Sequence, residues 1–212
     1  MVALPGTTRP TTPARRLRVR LAAGLSAALL AFSAPLPALS SANSPTPYLI
    51  ARKAMPAPAG FGALCASYAW LCARSGAGRA ADASALRLAE PVNRRINHQV
   101  RQIADRRQYG RDEVWALPTR QGGDCEDIAM LKKLRLIEAG IAPEHLLVAT
   151  ALDLNRSAHA VLILRTSAGD YVLDNLRDRI RPWQQTGYSF LLMQDPKAPA
   201  RWTAIFAGGI FS

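Results

Sequence analysis

The chain has 212 residues, of which 49% are hydrophobic and 20% charged. That is enough length and apolar content for one folded domain with extensions, and it excludes a fibrous or disordered chain. A formal charge of +12 points at first to nucleic acid, but five of the 27 basic residues and none of the 15 acidic ones precede Leu21, leaving a balance of +7 beyond it. The remaining arginines are scattered, with no basic run interleaved with aromatics. A solvated arginine-rich surface accounts for them, and no nucleic-acid partner is expected.

Residues 1–42 have the pattern of a secretory signal peptide. Arg15, Arg16, Arg18 and Arg20 form a charged start, residues 21–32 are apolar and uncharged, and Pro35, Pro37 and small residues through Ala42 follow. The apolar run is shorter than the roughly 20 residues a membrane span needs. The mature chain is expected to begin near residues 40–44, to have no stable membrane span, and to be periplasmic in a Gram-negative cell. In that oxidising compartment two of the three cysteines should pair. Cys65 and Cys72 are the natural pair. In one continuous helix they would lie about 10 Å apart along the axis, too far for a bond. Either the chain turns between Ala63 and Ala73, or both are buried thiols. Cys125 is the odd one out in both cases.

Residues 43–60 hold Pro45, Pro47, Pro56 and Pro58 and read as an extended lead-in to a domain over 61–212. Residues 62–74 read as partly helical, and 75–78 as a break. Residues 80–89 suit a short helix ended by Pro91. Val92, Ile96, Val100 and Ile103 then form a helical stripe that predicts a second helix to about residue 107, stopped by Tyr109-Gly110. Residues 111–120 form a loop. Gly122-Gly123 next deliver Asp124, Cys125, Glu126 and Asp127 to the start of an amphipathic helix. Gly140 and Pro143 signal its end. Residues 146–152, 159–166 and 170–176 are rich in Val, Leu and Ile, with a hairpin turn over 167–170. Trp183, 188–193 and 202–206 supply further strands. Helices first and antiparallel strands later make an α+β domain.

A free thiol at a helix start is where a cysteine nucleophile belongs, and it needs a base and a group to orient that base. Of the three histidines, His98 lies on a helix stripe and His145 in a short link. His159 opens an apolar strand. Asp174 is embedded in the next strand, where an acid is unfavourable unless paired. A turn centred between Ala168 and Gly169 sets Asp174 opposite Ile163, on the face of His159 but four residues away. A bulge or register slip must then close the gap. Asp124 and Asp127 also have capping-box spacing. Asp124, Glu126 and Asp127 crowd negative charge around Cys125, which disfavours its thiolate. A hard cation such as calcium on clustered carboxylates, or nearby arginines, would offset that charge.

These residues resemble the bacterial transglutaminase-like cysteine proteinases, a family that includes the LapG-type adhesin-processing proteases. The resemblance covers roughly residues 61–206. It rests on Cys65 and Cys72, Val92-Asn93, residues 109–115, Gly123-Asp124-Cys125-Glu126-Asp127, His159-Ala160-Val161-Leu162 and Val172-Leu173-Asp174-Asn175. Ile128 stands where many members carry an aromatic residue, and the segment 118–123 is short. The resemblance implies a papain-like, transglutaminase-type α+β fold with Cys125 as nucleophile, His159 as general base and acid, and Asp174 as its orienting carboxylate. It implies that the backbone N–H of Cys125 serves an oxyanion hole, and that Asp124 and Glu126 bind calcium. LapG-type members cut large surface adhesins in the periplasm and are restrained by a membrane receptor for a cyclic dinucleotide. Acyl transfer to an amine uses the same acyl-enzyme, and a catalytically inactive periplasmic binding protein is a third class on the same scaffold.

Overall fold

The computed structural model describes residues 46–74 and 81–212, all within the compact unit Asn43–Ser212. The expected signal peptide over 1–42 lies outside the described residues. No helix among those described is long and apolar enough to cross a membrane.

Among the described residues, seven antiparallel strands form one sheet. They are β1 (Ala54–Met55), β2 (Leu146–Leu152), β3 (Ala158–Thr166), β4 (Gly169–Asp174), β5 (Arg177–Pro182), β6 (Ser189–Asp195) and β7 (Ala198–Ala207), in the spatial order β1-β7-β6-β2-β3-β4-β5. The two central strands β2 and β3 are apolar on both sides because both faces of the sheet are covered. One face carries Leu146, Val148, Leu162, Leu164 and Leu173 against helical residues such as Ala85, Ala89, Met130 and Leu136. The other carries Leu147, Val161, Ile163 and Val172 against Trp183, Tyr188, Phe190 and Ile205. The lead-in joins the domain. Leu49 is buried, its N–H donates to Asp170 Oδ2 at 2.8 Å, and β1 pairs with β7.

The helices are α1 (Leu64–Ser67), α2 (Ala83–Gln99), α3 (Asp105–Tyr109) and α4 (Cys125–Glu138). Cys65 and Cys72 are bonded, with Cα atoms 5.5 Å apart. The chain turns as the bond requires: α1 stops at Tyr68 and a 3-10 turn over Ala69–Cys72 follows.

The expected division at Pro91 is not found. Residues 83–99 form one helix with Pro91 inside it. Proline removes one helical hydrogen bond and leaves the carbonyl four residues back without a donor. Here Pro91 and Arg87 are both on the exposed side of the helix, where solvent access limits the cost of the lost bond. The helix also ends at Gln99 rather than near residue 107, and α3 is separate, closed by Gly110 in the left-handed region at φ 68°.

α4 ends in a Schellman motif. Gly140 sits at φ 92°, its N–H donates to the Ile137 carbonyl at 2.9 Å, and the N–H of Ile141 donates to the Leu136 carbonyl at 3.0 Å.

The β3–β4 register differs from the expected one. Thr166 pairs with Gly169 and Leu162 with Leu173, so the loop is the two residues Ser167-Ala168. Gly169 belongs to the strand because the Pro47 carbonyl lies where a side chain would stand and accepts the N–H of Asp170 at 2.9 Å. The shift brings Asp174 two residues nearer to His159.

Candidate active site

The two glycines before α4 are required by close approach. Gly122 has φ +132°, and a Cβ there would stand 2.0 Å from the Arg101 carbonyl oxygen. Gly123 donates to that carbonyl at 3.1 Å, and its own carbonyl accepts from Ile103 N–H at 3.1 Å. The run 122–123 is thus zipped to 101–103. That pairing sets the start of α3 beside the start of α4, and with it Asp105 beside Asp124.

Cys125 is the first residue of α4 and the free cysteine among those described. It opens on a cleft with His159, Glu126, Trp115, Pro58 and Leu191. Trp115 is held from behind by Phe61 and Trp202 in edge-to-face contacts at 5.4 and 6.0 Å.

His159, near the start of β3, is buried, and its Nε2 lies 2.9 Å from Asp174 Oδ1. Asp174 ends β4 and is 3% exposed. Its Oδ1 also accepts the N–H of Leu176 at 2.9 Å, and its Oδ2 accepts the hydroxyl of Tyr188 at 2.6 Å. Burial pushes this carboxyl up, but the hydrogen bonds from His159, Tyr188 and Leu176 outweigh it and hold the group below the usual carboxylate range. An ionised Asp174 places the imidazole proton on Nε2 and leaves Nδ1 as the acceptor.

Tyr188 also sets its ring edge-on to His159, 5.6 Å between centroids. Tyr188→Phe removes one charge-assisted hydrogen bond, worth about 1.5–3 kcal/mol. Acting on Asp174, it is expected to lower kcat/KM about tenfold. Losing a donor to the charged form raises the Asp174 pKa, so the acid limb of the pH–rate profile moves to higher pH. An unchanged acid limb in that profile would show that Tyr188 does not act through Asp174.

The thiol has two partners among the described residues. Cys125 Sγ donates to Glu126 Oε2 at 3.1 Å and accepts the N–H of Ala160 at 3.3 Å. Burial, then the charge of Glu126, pushes the thiol well above its ordinary range.

Asp105, Asp124 and Glu126 each offer a carboxylate oxygen, and the three lie within 4.8 Å of one another. Burial and the charge of Glu126 push Asp124 up to about 8. Burial likewise raises Asp105 and Glu126. Asp124 holds the N-cap position of α4 but makes no capping hydrogen bond, and its Oδ1 is buried without a partner, as is Asp105 Oδ1. The capping box suggested by spacing is therefore not made. Asp127 instead accepts the N–H of Ala116 at 2.8 Å, which pins the 111–120 loop to the helix. Asp105 does the same for the N–H of Val114. No arginine or lysine among the described residues forms an ion pair with these acids.

Cys125 and His159 therefore line one cleft, with Asp174 buried behind His159 on its Nε2, and Asp124 and Glu126 share an acidic cluster with Asp105. Cys65 and Cys72 lie apart, in the disulfide. His98 is exposed and pairs with Asp178. Sequence reasoning missed Asp105 and Tyr188. Asp105 is a charged residue on a stretch that reads as a continuing helix, and Tyr188 reads as an ordinary strand aromatic.

Residues 51–209 match the family described as bacterial transglutaminase-like cysteine proteinase BTLCP. The chain belongs to that family. It is a cysteine peptidase with the transglutaminase-like α+β fold, and its substrate is protein. Among solved structures it is similar to calcium-bound LapG of Legionella pneumophila, at 24% identity over 57% of this chain and 69% of that one, with a TM-score of 0.47. It is also similar to EGTA-treated LapG of that organism, at 26% identity over 52% of this chain and 63% of that one, with a TM-score of 0.46. No curated protein gives a significant match to the peptidase.

Proposed function

We propose that the peptidase is a periplasmic, calcium-dependent endopeptidase in which Cys125 is the nucleophile, His159 the general base and acid, and Asp174 the carboxylate that orients it. One observation carries this reading: the buried His159–Asp174 pair at 2.9 Å, which leaves Nδ1 to serve the thiol in the same cleft. His159 Nδ1 takes the thiol proton as sulfur attacks the scissile carbonyl, then returns it to the leaving amine. The acyl-enzyme is cleared by water, with His159 again the base. The first N–H groups of α4 have no acceptor inside the helix, so that of Cys125 is available to the oxyanion.

The acidic cluster fits a hard cation. Its oxygens are gathered, two are buried without donors, and none of the salt bridges among the described residues includes them, although the charge of Arg111 bears on Asp105. Asp105, Asp124 and Glu126 would hold calcium, whose charge would offset the carboxylates that now oppose a Cys125 thiolate. Export is supported by the residue 1–42 pattern and by the Cys65–Cys72 bond, which needs an oxidising compartment. Residues 1–42 are the signal peptide in this reading, residues 43–60 the lead-in, and residues 61–212 the peptidase domain. Its substrate is a large surface adhesin and its regulator an inner-membrane receptor, as the resemblance to LapG-type members implies.

Cells carrying the wild-type chain and cells carrying Cys125→Ala are compared by mass spectrometry of surface and secreted proteins. A large surface protein should gain a new terminus only with wild type. Amide cross-links without new termini would replace hydrolysis by acyl transfer.

A further inference from the structure

The cleft that holds Cys125 and His159 carries fixed charge of one sign. Among the described residues that line it, Glu113 and Glu126 are the charged side chains beside the histidine, and no arginine or lysine is present. Much of the remaining wall is small or apolar, with Pro58, Ala59, Ala151, Ala158 and Leu191. Glu126 is already engaged, because its Oε2 faces the thiol at 3.1 Å and it belongs to the acidic cluster. Glu113 is outside that cluster, is exposed, and enters none of the salt bridges among the described residues. The chemistry given to the cleft does not use it.

The place of Glu113 is nonetheless fixed. Trp115 Nε1 donates to its Oε2 at 3.2 Å, and among the described residues its second oxygen has no donor. Trp115 is buried and wedged against Phe61 and Trp202. The next residues are pinned as well, Val114 N–H by Asp105 and Ala116 N–H by Asp127. The lead-in closes the other side. A Cβ on Gly60 would stand 2.8 Å from Trp115 Cδ1 and 3.4 Å from the Glu113 carbonyl oxygen. The segment Pro58-Ala59-Gly60 therefore lies against 113–115, and an apolar wall adjoins a carboxylate. A lysine or arginine side chain is the complement, an apolar stem with a cationic head. A carboxylate held by a packed indole also has little freedom left to lose on binding.

We propose that Glu113 is a specificity-determining residue that selects a lysine or arginine in the protein substrate, with the stem on Pro58 and Ala59 and the cation at the free carboxylate oxygen. This rests on the reading of the cleft as the place where peptide is cut. The same carboxylate repels an acidic side chain at that position, so discrimination has an attractive and a repulsive part.

The test uses internally quenched peptide pools, each with Lys, Gln or Glu fixed at one position and an equimolar mixture elsewhere, cut by the full chain with calcium present. Rates are divided by the burst of acetyl released from p-nitrophenyl acetate, which counts competent active sites and presents no side chain to Glu113. At one position the wild-type chain should prefer Lys to Gln about fivefold and Gln to Glu by a similar factor, and high salt should shrink both ratios. Glu113→Gln keeps an acceptor for the Trp115 indole and should bring the Lys-to-Gln ratio to about one. Glu113→Lys should prefer Glu to Lys. Each ratio is taken within one variant, so it does not depend on how much of the chain is folded. Absence of a Lys preference at every position in the wild-type chain overturns the proposal. So does a Lys preference that survives in Glu113→Gln, including the case where all pools slow together because Glu113 merely holds Trp115. Equal peptide cleavage by wild type and Cys125→Ala would instead overturn the reading of the cleft.

Discussion

Cys125→Ala abolishes the acetyl burst and all peptide-bond cleavage by the full chain, while Tm stays within about 2 °C of wild type. The thiol is a small group on the first residue of α4 with one weak backbone contact, from Ala160, and one acidic contact, to Glu126. Neither is a packing contact that a large-to-small change would cost. His159→Ala is expected to lower kcat/KM by about 10³ or more, because His159 is the imidazole that shares the cleft with the thiol and can both take its proton and return it to the leaving amine. Asp174→Asn follows with a loss of about 10² or more, because a neutral amide no longer stabilises the imidazolium that forms when His159 takes the thiol proton. Groups that act as a unit lose rate non-additively, so Cys125→Ala with His159→Ala should be no slower than Cys125→Ala alone. Burst kinetics read all of these variants on one scale. A residual burst in Cys125→Ala would remove Cys125 from the role of nucleophile.

Chelation is the second large effect. Calcium-free peptidase should turn over p-nitrophenyl acetate at least about 10² more slowly than calcium-loaded peptidase, with full recovery on adding calcium back. Asp105→Asn should reproduce the loss, which matters because Asp105 lies outside the 122–127 run and reaches the cluster only through the pairing of 101–103 with 122–123. The pH dependence follows from the raised carboxyls. Asp124 is pushed from an ordinary 3.8 to about 8. A carboxyl raised on folding favours the fold at low pH, and that contribution is lost as pH rises through about 8. The calcium-free chain should therefore lose Tm between pH 5 and pH 8, with the loss reduced in Asp124→Asn and offset by calcium. Calcium binding displaces the protons held there, so affinity should rise over the same window, and calorimetry in two buffers should register proton release. Equal Tm with and without calcium at pH 8 would count against the cation.

Much of the site was legible because it is local. A glycine pair, a lone cysteine and an amphipathic run mark the start of α4. Gly140 and Pro143 mark its end, and a histidine and an aspartate stand in adjacent apolar strands. What escaped depends on long-range contact. The β3–β4 register turned on Pro47, more than a hundred residues upstream of Gly169, which makes Gly169 a strand residue and moves Asp174 toward His159. Pro91 reads as a helix stop by itself, yet on an exposed face the lost hydrogen bond costs little and the helix continues. Asp105 carries no local sign of its partners, and Tyr188 reveals its function only when its hydroxyl is seen on Asp174. Capping-box spacing at Asp124 and Asp127 was a local signal with the wrong outcome, because the loop 111–120 and the acidic cluster claim those carboxylates first.

The most direct test is the rate of Cys125 alkylation by iodoacetamide as a function of pH, with and without calcium. With Cys65 and Cys72 bonded, Cys125 is the thiol that the reagent reports. Without calcium, alkylation should be slow with a high-pH inflection, because burial and the charge of Glu126 hold the thiol protonated. With calcium the inflection moves to lower pH, and His159→Ala and Asp105→Asn each abolish the shift. Superimposable profiles with and without calcium in the wild-type chain would contradict a thiolate that depends on the cation.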